Sequence, residues 1–313
     1  MTKPARLPAD HEARVGRMLL SLDGLSLGDA FGERFFVKDA EDRIAARALP
    51  PAPWRTTDDT AMALGVVEVV DGSGSVLGEG RDALARVLAR RHAEEPHRGY
   101  GAGAHEILFA IAAGEPWPKA AALPFGGQGS MGNGAAMRVA PLGAYFADDL
   151  ERVSREARAS AEVTHGHPEG QAGAIAVALA AALASRLGGR RDEVSGSSIL
   201  EQVVALTPPG ETRDGLRQAC AIPFRLSPEA AAHHLGSGYR IVSPDTVPFA
   251  LWCAARHLGD FEEAMWATVA GLGDRDTTCA IAGGVVALSA GRASFPPAWL
   301  EAREPLRLHP ARA

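Results

Sequence analysis

GDRDTTCAIAGGVVAL, residues 273–288, sets three hard oxygen ligands, Asp274, Asp276 and Thr277, between a glycine and an apolar run of helical length, Cys279 to Leu288. A chain that holds a metal ion at a helix N-terminus is built this way. A near mirror lies far upstream at Thr57-Asp58-Asp59-Thr60, which opens a second apolar run, Ala61 to Val70. Either cluster alone also reads as a helix cap, because Thr and Asp accept free backbone N–H groups and acids favour the positive end of the helix dipole. Asp274 and Asp276, two apart at the end of a glycine turn, cannot both cap the same groups. Two such clusters in one chain point to a single shared site.

Carboxylates with threonine hydroxyls, and no Cys or His at ligand spacing, suit Mg2+ or Mn2+, with Ca2+ also admissible, better than Zn2+. Four converging aspartates need cations to be stable. Two metals about 3.5–4 Å apart are the natural arrangement, able to orient a substrate and activate water.

The rest of the chain is dominated by helical periodicity, and strand alternation is hard to find. Asp10 can cap a first helix with Val15, Met18, Leu19 and Leu22 on one face. Gly24, Gly28 and Gly32, spaced by four, let another backbone pack closely, and Asp29 and Glu33 lie on a neighbouring face. Further helices are expected over 79–92, 103–113, 135–146, 149–163, 168–187, 197–206, 212–220, 228–235, 245–257, 261–271 and 276–290. About a dozen helices with short connections give an all-α fold. No composition change marks a linker, so one domain is expected, with a core over 10–295. Gly188 to Gly196 reads as a surface loop, and the proline-interrupted tail 296–313 as a fraying end.

At 313 residues and 46% hydrophobic content, the chain can bury a large core. Its 38 acidic against 32 basic residues give a net charge of −6 without a basic run, which argues against duplex nucleic acid as an obligate partner. Cys220, Cys253 and Cys279 are scattered singly, as reduced thiols of a cytoplasmic protein are. No apolar stretch of signal-peptide length is seen near the N-terminus, and the most apolar run, Ala172 to Leu183, is too short to span a bilayer.

The second informative stretch is FGGQGSMGNGAAMR, Phe125 to Arg138. Gly127-x-Gly129-x-x-Gly132 matches a dinucleotide fingerprint formally, but no strand precedes it and no βαβ unit surrounds it, which excludes a Rossmann site. There remain a glycine loop that offers backbone N–H groups to a phosphate at a helix start near Ala135, or a tight Asn133-Gly134 turn without a ligand. His165, at a helix junction, reads as a C-cap or a core hydrogen-bonder as readily as a site residue. The loop Arg98-Gly99-Tyr100-Gly101-Ala102-Gly103 either shapes a pocket or only turns the chain.

Six motifs in order, GLSLGDAFGE, TTDDTAMAL, RGYGAG, GSMGNGAAMRVAPLG, THGHPEG and LGDRDTTCAIAGG, span Gly24 to Gly284. Together the set resembles the ADP-ribosylglycohydrolase family, which includes the dinitrogenase reductase-activating glycohydrolase and hydrolases that cleave ADP-ribose from serine or arginine. RGYGAG with GSMGNGAAMR looks most like the serine-directed branch. The resemblance implies an all-α fold around two Mg2+ or Mn2+ ions, held by Thr57, Asp58 and Asp59 on one side and Asp274, Asp276 and Thr277 on the other. It implies that Asp58, Asp59 and Asp276 take part in catalysis. Ser130, Met131 and Gly132 would hold a diphosphate, with Gly129, Asn133 and Tyr100 beside the substrate, Phe125 near the adenine and His165 near the ribose. The implied partner is ADP-ribose or an ADP-ribosylated acceptor, whether protein, nucleic acid or small molecule.

Two departures stand out. The family's usual glutamate eight residues after Gly28 is Phe36 here, and Glu33, one helical turn earlier, is the acid placed to take its role. Leu272 and Arg275 stand where the family pattern has glycine and threonine, and Arg275 adds a cation beside the aspartates that can recruit a phosphate or another leaving group. A metal-dependent hydrolase that releases ADP-ribose is therefore expected. A non-catalytic relative that binds ADP-ribose or metal is the alternative, favoured by the absence of the glutamate and opposed by two intact aspartate clusters.

Overall fold

The computed structural model describes residues 7–187 and 195–308, and most of them are helical. The chain runs through α1 (His11–Glu33), α2 (Ala40–Ala45), α3 (Asp58–Ser73), α4 (Glu79–Glu94), α5 (Ala102–Ala112), α6 (Trp117–Ala122), α7 (Pro124–Gly127), α8 (Ala140–Tyr145) and α9 (Leu150–Glu162). It continues through α10 (Pro168–Leu187), α11 (Gly196–Leu206), α12 (Glu211–Ala221), α13 (Pro228–Leu235), α14 (Ser243–Arg256), α15 (Phe261–Val269), α16 (Arg275–Ala290) and α17 (Pro297–Ala302). Two isolated β-bridges are the sole sheet-like pairings among the described residues. The fold is all-α, as the periodicity implies, and one continuous apolar core runs from Val15 to Trp299.

α1 and α16 lie antiparallel at the centre, with their backbones touching. A Cβ at Gly24 would lie 2.4 Å from the carbonyl oxygen of Gly283, one at Gly28 would lie 2.1 Å from that of Cys279, and one at Gly32 would lie 2.3 Å from that of Arg275. The four-residue spacing read in the sequence is thus a ridge of bare backbone, and its counterpart on α16 has the same spacing. α10, alanine-rich throughout, fills the space beside this pair. By length and hydropathy α10 could cross a bilayer, contrary to the shortness expected of its apolar run, but 83% of its most apolar window is buried inside the fold.

Several expectations are corrected. A helix over 135–146 does not form as one piece. A 3-10 turn covers Asn133–Ala135, and α8 restarts at Ala140 with Pro141 in its first turn, the one helical position where a missing N–H costs nothing. Asp10 stands at the cap position of α1, but its backbone is not extended there, and its carboxylate accepts from Arg14 Nε at 2.8 Å rather than from a backbone N–H. The segment after Pro296 does not fray through residue 308: α17 buries Trp299, whose ring stacks on Phe31 at 4.4 Å and 12°. Residues 188–194 of the expected surface loop, and the last five of the tail, lie outside the described residues.

Gly28→Ala forces a methyl group against backbone that no rotamer change can move. It should destabilise the fold by about 3 kcal/mol, the upper end of the usual overpacking cost, which a shift of the urea-denaturation midpoint measures.

Candidate functional site

The two acidic clusters meet. Thr57 ends an extended stretch and caps α3, accepting from Asp59 N at 3.2 Å, so the cap reading holds for this cluster. Its hydroxyl oxygen also lies 3.1 Å from Asp59 Oδ2, and Thr277 Oγ1, from the first turn of α16, donates to the same oxygen at 3.4 Å. One carboxylate oxygen thus bridges positions 218 residues apart in sequence. Asp58, Asp59, Thr57 and Thr277 are all buried.

Asp29 of α1 is the member that the sequence reading missed. Fully buried, it accepts from Thr57 N at 2.9 Å, Thr57 Oγ1 at 2.8 Å, Thr60 N at 3.2 Å and the Thr60 hydroxyl, so it holds the first turn of α3 in place. Asp29, Asp59 and Asp276 each offer a ligand atom, and these atoms lie within 4.8 Å of one another. The sequence signal was its position next to Gly28, on the helix that must touch α16.

Charge has gathered here without compensation. Burial pushes the Asp29 carboxyl up to about 6, and burial together with the Asp29 charge pushes Asp58 up to about 7. Asp59 is raised well above the carboxylate range by burial and by Asp276, and Asp276 by burial and by Asp274. Glu33, half-buried at the end of α1, is raised by burial and by Asp29, with Asp274 adding to it and Arg34 opposing. Asp59 Oδ1 and Asp276 Oδ1 are buried with no hydrogen-bond partner, which is costly for a polar atom unless something else meets it. A hard divalent cation fits this donor set: several carboxylate oxygens, two of them unmatched, beside the hydroxyls of Thr57 and Thr277.

Asp274 closes the far side. Its N–H donates to Ser237 O at 3.0 Å, and Asn133 Nδ2 donates to its Oδ2 at 2.7 Å while also reaching Thr246 Oγ1 at 3.0 Å. Asn133, expected beside the substrate, is buried and directly supports the Asp274 carboxylate. A second element the sequence reading did not single out is the turn at Ser237 and Gly238, where a Cβ on Gly238 would lie 2.5 Å from Asp274 Cβ. Only the glycines around it signalled a close approach.

The glycine loop lies alongside. Gly129 is left-handed, at φ 77°, and a Cβ there would come within 2.6 Å of Gly166 Cα, so the loop rests on the turn that carries His165. Gly132 N donates to Ser130 Oγ at 3.1 Å, Asn133 N donates to Ile241 O at 3.3 Å, and Met131 O accepts from Ser243 N at 3.0 Å. The loop leads into the short 3-10 turn, so no long helix dipole stands behind it, contrary to the helix start expected near Ala135. The His165 ring sits beneath Gly132 and Gly134; burial and the Arg138 charge lower its pKa to about 3, which keeps it neutral, and Nδ1 pairs with Thr164 Oγ1 at 2.8 Å. Phe125 is left-handed and 69% exposed, its ring open to a partner.

Tyr100, in the loop before α5, is buried with an unpartnered hydroxyl and packs edge-on against His92 at 4.9 Å. The same loop touches the centre directly, since Arg98 O accepts from Asp58 N at 2.8 Å and Gly99 passes close to Asp58 Oδ1.

Arg275, between Asp274 and Asp276 in sequence, turns away from both rather than standing beside them as the sequence suggests. It donates to the Phe35 carbonyl and lies 4.9 Å from the Phe36 ring centroid, so two departures from the family pattern contact each other.

With this geometry in view, comparison with known proteins is decisive. The family model described as ADP-ribosylglycohydrolase matches residues 9–311. The chain belongs to the ADP-ribosylglycohydrolase family. It is similar to the human protein named ADP-ribosylhydrolase ARH3, with 27% identity over 90% of this chain and 88% of that one. A protein from Archaeoglobus fulgidus named only as uncharacterized is 30% identical over 89% of this chain and 88% of its own. A solved structure described as an ADP-ribosylglycohydrolase-related protein complex matches with a TM-score of 0.63 at 27% identity, covering 94% of each chain.

In this member of the family the acids govern the pH response of the metal-free state. A carboxyl whose folded value exceeds its unfolded one, about 3.9 for Asp, contributes stability below that value and loses it as pH rises through the folded one. Asp29 and Asp58, at about 6 and about 7, place that loss between roughly pH 4 and 7. Thermal denaturation in excess chelator should therefore give a lower melting temperature at pH 8 than at pH 5. An unchanged or rising value would contradict the buried-acid description.

Proposed function

We propose that the chain is a metal-dependent hydrolase that cleaves the glycosidic bond between ADP-ribose and a modified acceptor, releasing ADP-ribose. The observation that carries this reading is the convergence of Asp29, Asp59 and Asp276, with Asp59 Oδ1 and Asp276 Oδ1 unmatched and with buried Asp58 and half-buried Asp274 close enough to raise their neighbours' pKa values. Family membership and the similarity to proteins named ADP-ribosylhydrolase support the substrate class. Thr57, Asp58, Asp59, Asp274, Asp276 and Thr277 would hold two Mg2+ or Mn2+ ions. When bound, such ions neutralise the carboxylates, orient the substrate and make a water molecule more acidic.

The chain's own groups account for the rest. Asp29 fixes the first turn of α3 through four donors, so that Asp58 and Asp59 are held before substrate arrives. Glu33, half-buried and raised in pKa by burial and Asp29, is the group we assign to taking a proton from the attacking water. That water adds its oxygen to the anomeric carbon as the bond to the acceptor breaks, and the acceptor leaves with the bonding pair and takes up, directly or through solvent, the proton that Glu33 removed from the water. The Gly129–Gly132 loop, with neutral His165 beneath it, would receive the diphosphate and ribose, and the exposed ring of Phe125 the adenine.

Defined ADP-ribosylated peptides, nucleic acids and small molecules, incubated with the protein and Mg2+ and read by mass spectrometry, test the proposal. Free ADP-ribose should appear, and chelator should stop it. Asp59→Asn or Asp276→Asn should slow release on the order of 10²–10³-fold, as loss of a transition-state electrostatic group does. Glu33→Gln should lower kcat by about 10²-fold or more with metal still bound. Calorimetric binding of ADP-ribose without turnover of any substrate would identify a non-catalytic binder instead.

A further inference from the structure

The segment after α17 is tied to the strand-like entry to α3. Trp54 N donates to Ala302 O at 2.7 Å, and Glu304 N donates to Trp54 O at 2.9 Å, so residues 302–304 run beside residue 54 as a short parallel pair. Trp299, stacked on Phe31, and Arg303, which donates to Asp23 and Ser26 of α1, anchor the segment on either side. Glu304 is carried by this anchorage to the residue immediately before the first expected metal ligand.

There one carboxylate oxygen, Glu304 Oε1, gathers three donors. Thr56 N reaches it at 2.9 Å, Thr56 Oγ1 at 2.7 Å, and Arg98 Nη1 forms an ion pair with it. Arg98 Nη1 also donates to Thr56 O at 2.8 Å, and Nη2 to Glu95 at 2.7 Å. The backbone carbonyl of the same Arg98 accepts from Asp58 N at 2.8 Å. The network is largely shielded from water, with side-chain exposures of 25% for Glu304 and 17% for Arg98. It therefore reaches the centre by two routes, through Thr56 into Thr57, and through the Arg98 carbonyl onto Asp58.

We propose that Glu304 is a positioning residue of the metal centre: from far along the chain it sets the backbone of Thr57 to Asp59 and the Arg98–Gly103 loop against each other, and so determines how tightly the acidic cluster holds a divalent cation. The assignment rests on the reading of Thr57, Asp58 and Asp59 as metal ligands. Removing Glu304 would strand the Thr56 N–H and hydroxyl and leave a largely buried guanidinium without one of its partners. The first turn of α3, still tied to Asp29, would lose its second anchor on the side of the Arg98–Gly103 loop. Groups of this kind behind metal ligands typically change metal affinity about 10–100-fold.

The test uses the full chain and Mn2+ alone, with binding followed by calorimetry and by the loss of the free-ion electron paramagnetic resonance signal. Glu304→Ala should weaken Mn2+ binding by about 10–100-fold, and Glu304→Gln, which keeps an oxygen for Thr56 but loses the charge paired with Arg98, should fall between it and the unchanged protein. Leu300→Ala loosens the packing of the same segment while sparing the network and serves as the stability control. At comparable loss of melting temperature it should leave Mn2+ affinity within about twofold, far less than the loss expected when a group supporting the ligands is removed. Equal weakening by Leu300→Ala and Glu304→Ala would overturn the assignment, as would Glu304 variants that bind Mn2+ like the unchanged protein. If the unchanged protein itself takes up no Mn2+, the metal reading falls and this one with it, so the two failures are distinguishable.

Discussion

The backbone contact between α1 and α16 is the constraint on which the rest depends. Three glycines remove the side chains that would hold two helices about 8–10 Å apart, and the helices meet carbonyl against Cα. Asp29 and Glu33 from one helix and Asp276 and Thr277 from the other are thereby brought to a common end. A wider crossing would separate these groups and lower their mutual repulsion. It would also dissolve the site. The apolar packing of α10, α14 and α15 against α16 holds the pair together in spite of that repulsion.

Most of the helices and both acidic clusters were legible in the sequence, because each depends on local chemistry. TDDT and GDRDTT announce themselves by composition and by the apolar runs after them. Asp29 did not, since its partners Thr57 and Thr60 lie 28 and 31 residues away and the only local mark of its burial is the neighbouring Gly28. Trp299 was equally silent: a single tryptophan among prolines looks like a loose end until Phe31 is seen beneath it. The uninterrupted helix over 135–146 failed for a different reason. Periodicity registers apolar positions but not the backbone demands of a loop whose carbonyls and amides are engaged by residues 241–243.

Arg275 shows how a charge can stand next to a site in sequence and outside it in space. Its guanidinium serves the carbonyl end of α1, where a cation is electrostatically welcome, and covers the face of Phe36. The acidic cluster consequently has no internal counter-ion from this side. It depends on protons or on incoming cations for its neutrality, which makes occupancy, and not only shape, a property of the folded state.

The parallel pairing of residues 302–304 with Trp54 has a further consequence for biosynthesis. A ribosome delivers α1 and the Thr57–Asp59 turn early, yet Thr277 of α16 emerges 218 residues after Asp59, and the Glu304 carboxylate later still. Until they do, Asp59 lacks its partner from α16, although Asp29 already has Thr57 and Thr60 to accept from. The nascent chain thus carries half of the acidic cluster, and completion of the cluster coincides with closure of the fold. Long-range contacts of this order make folding slow, and here the delay also postpones the meeting of the buried acids.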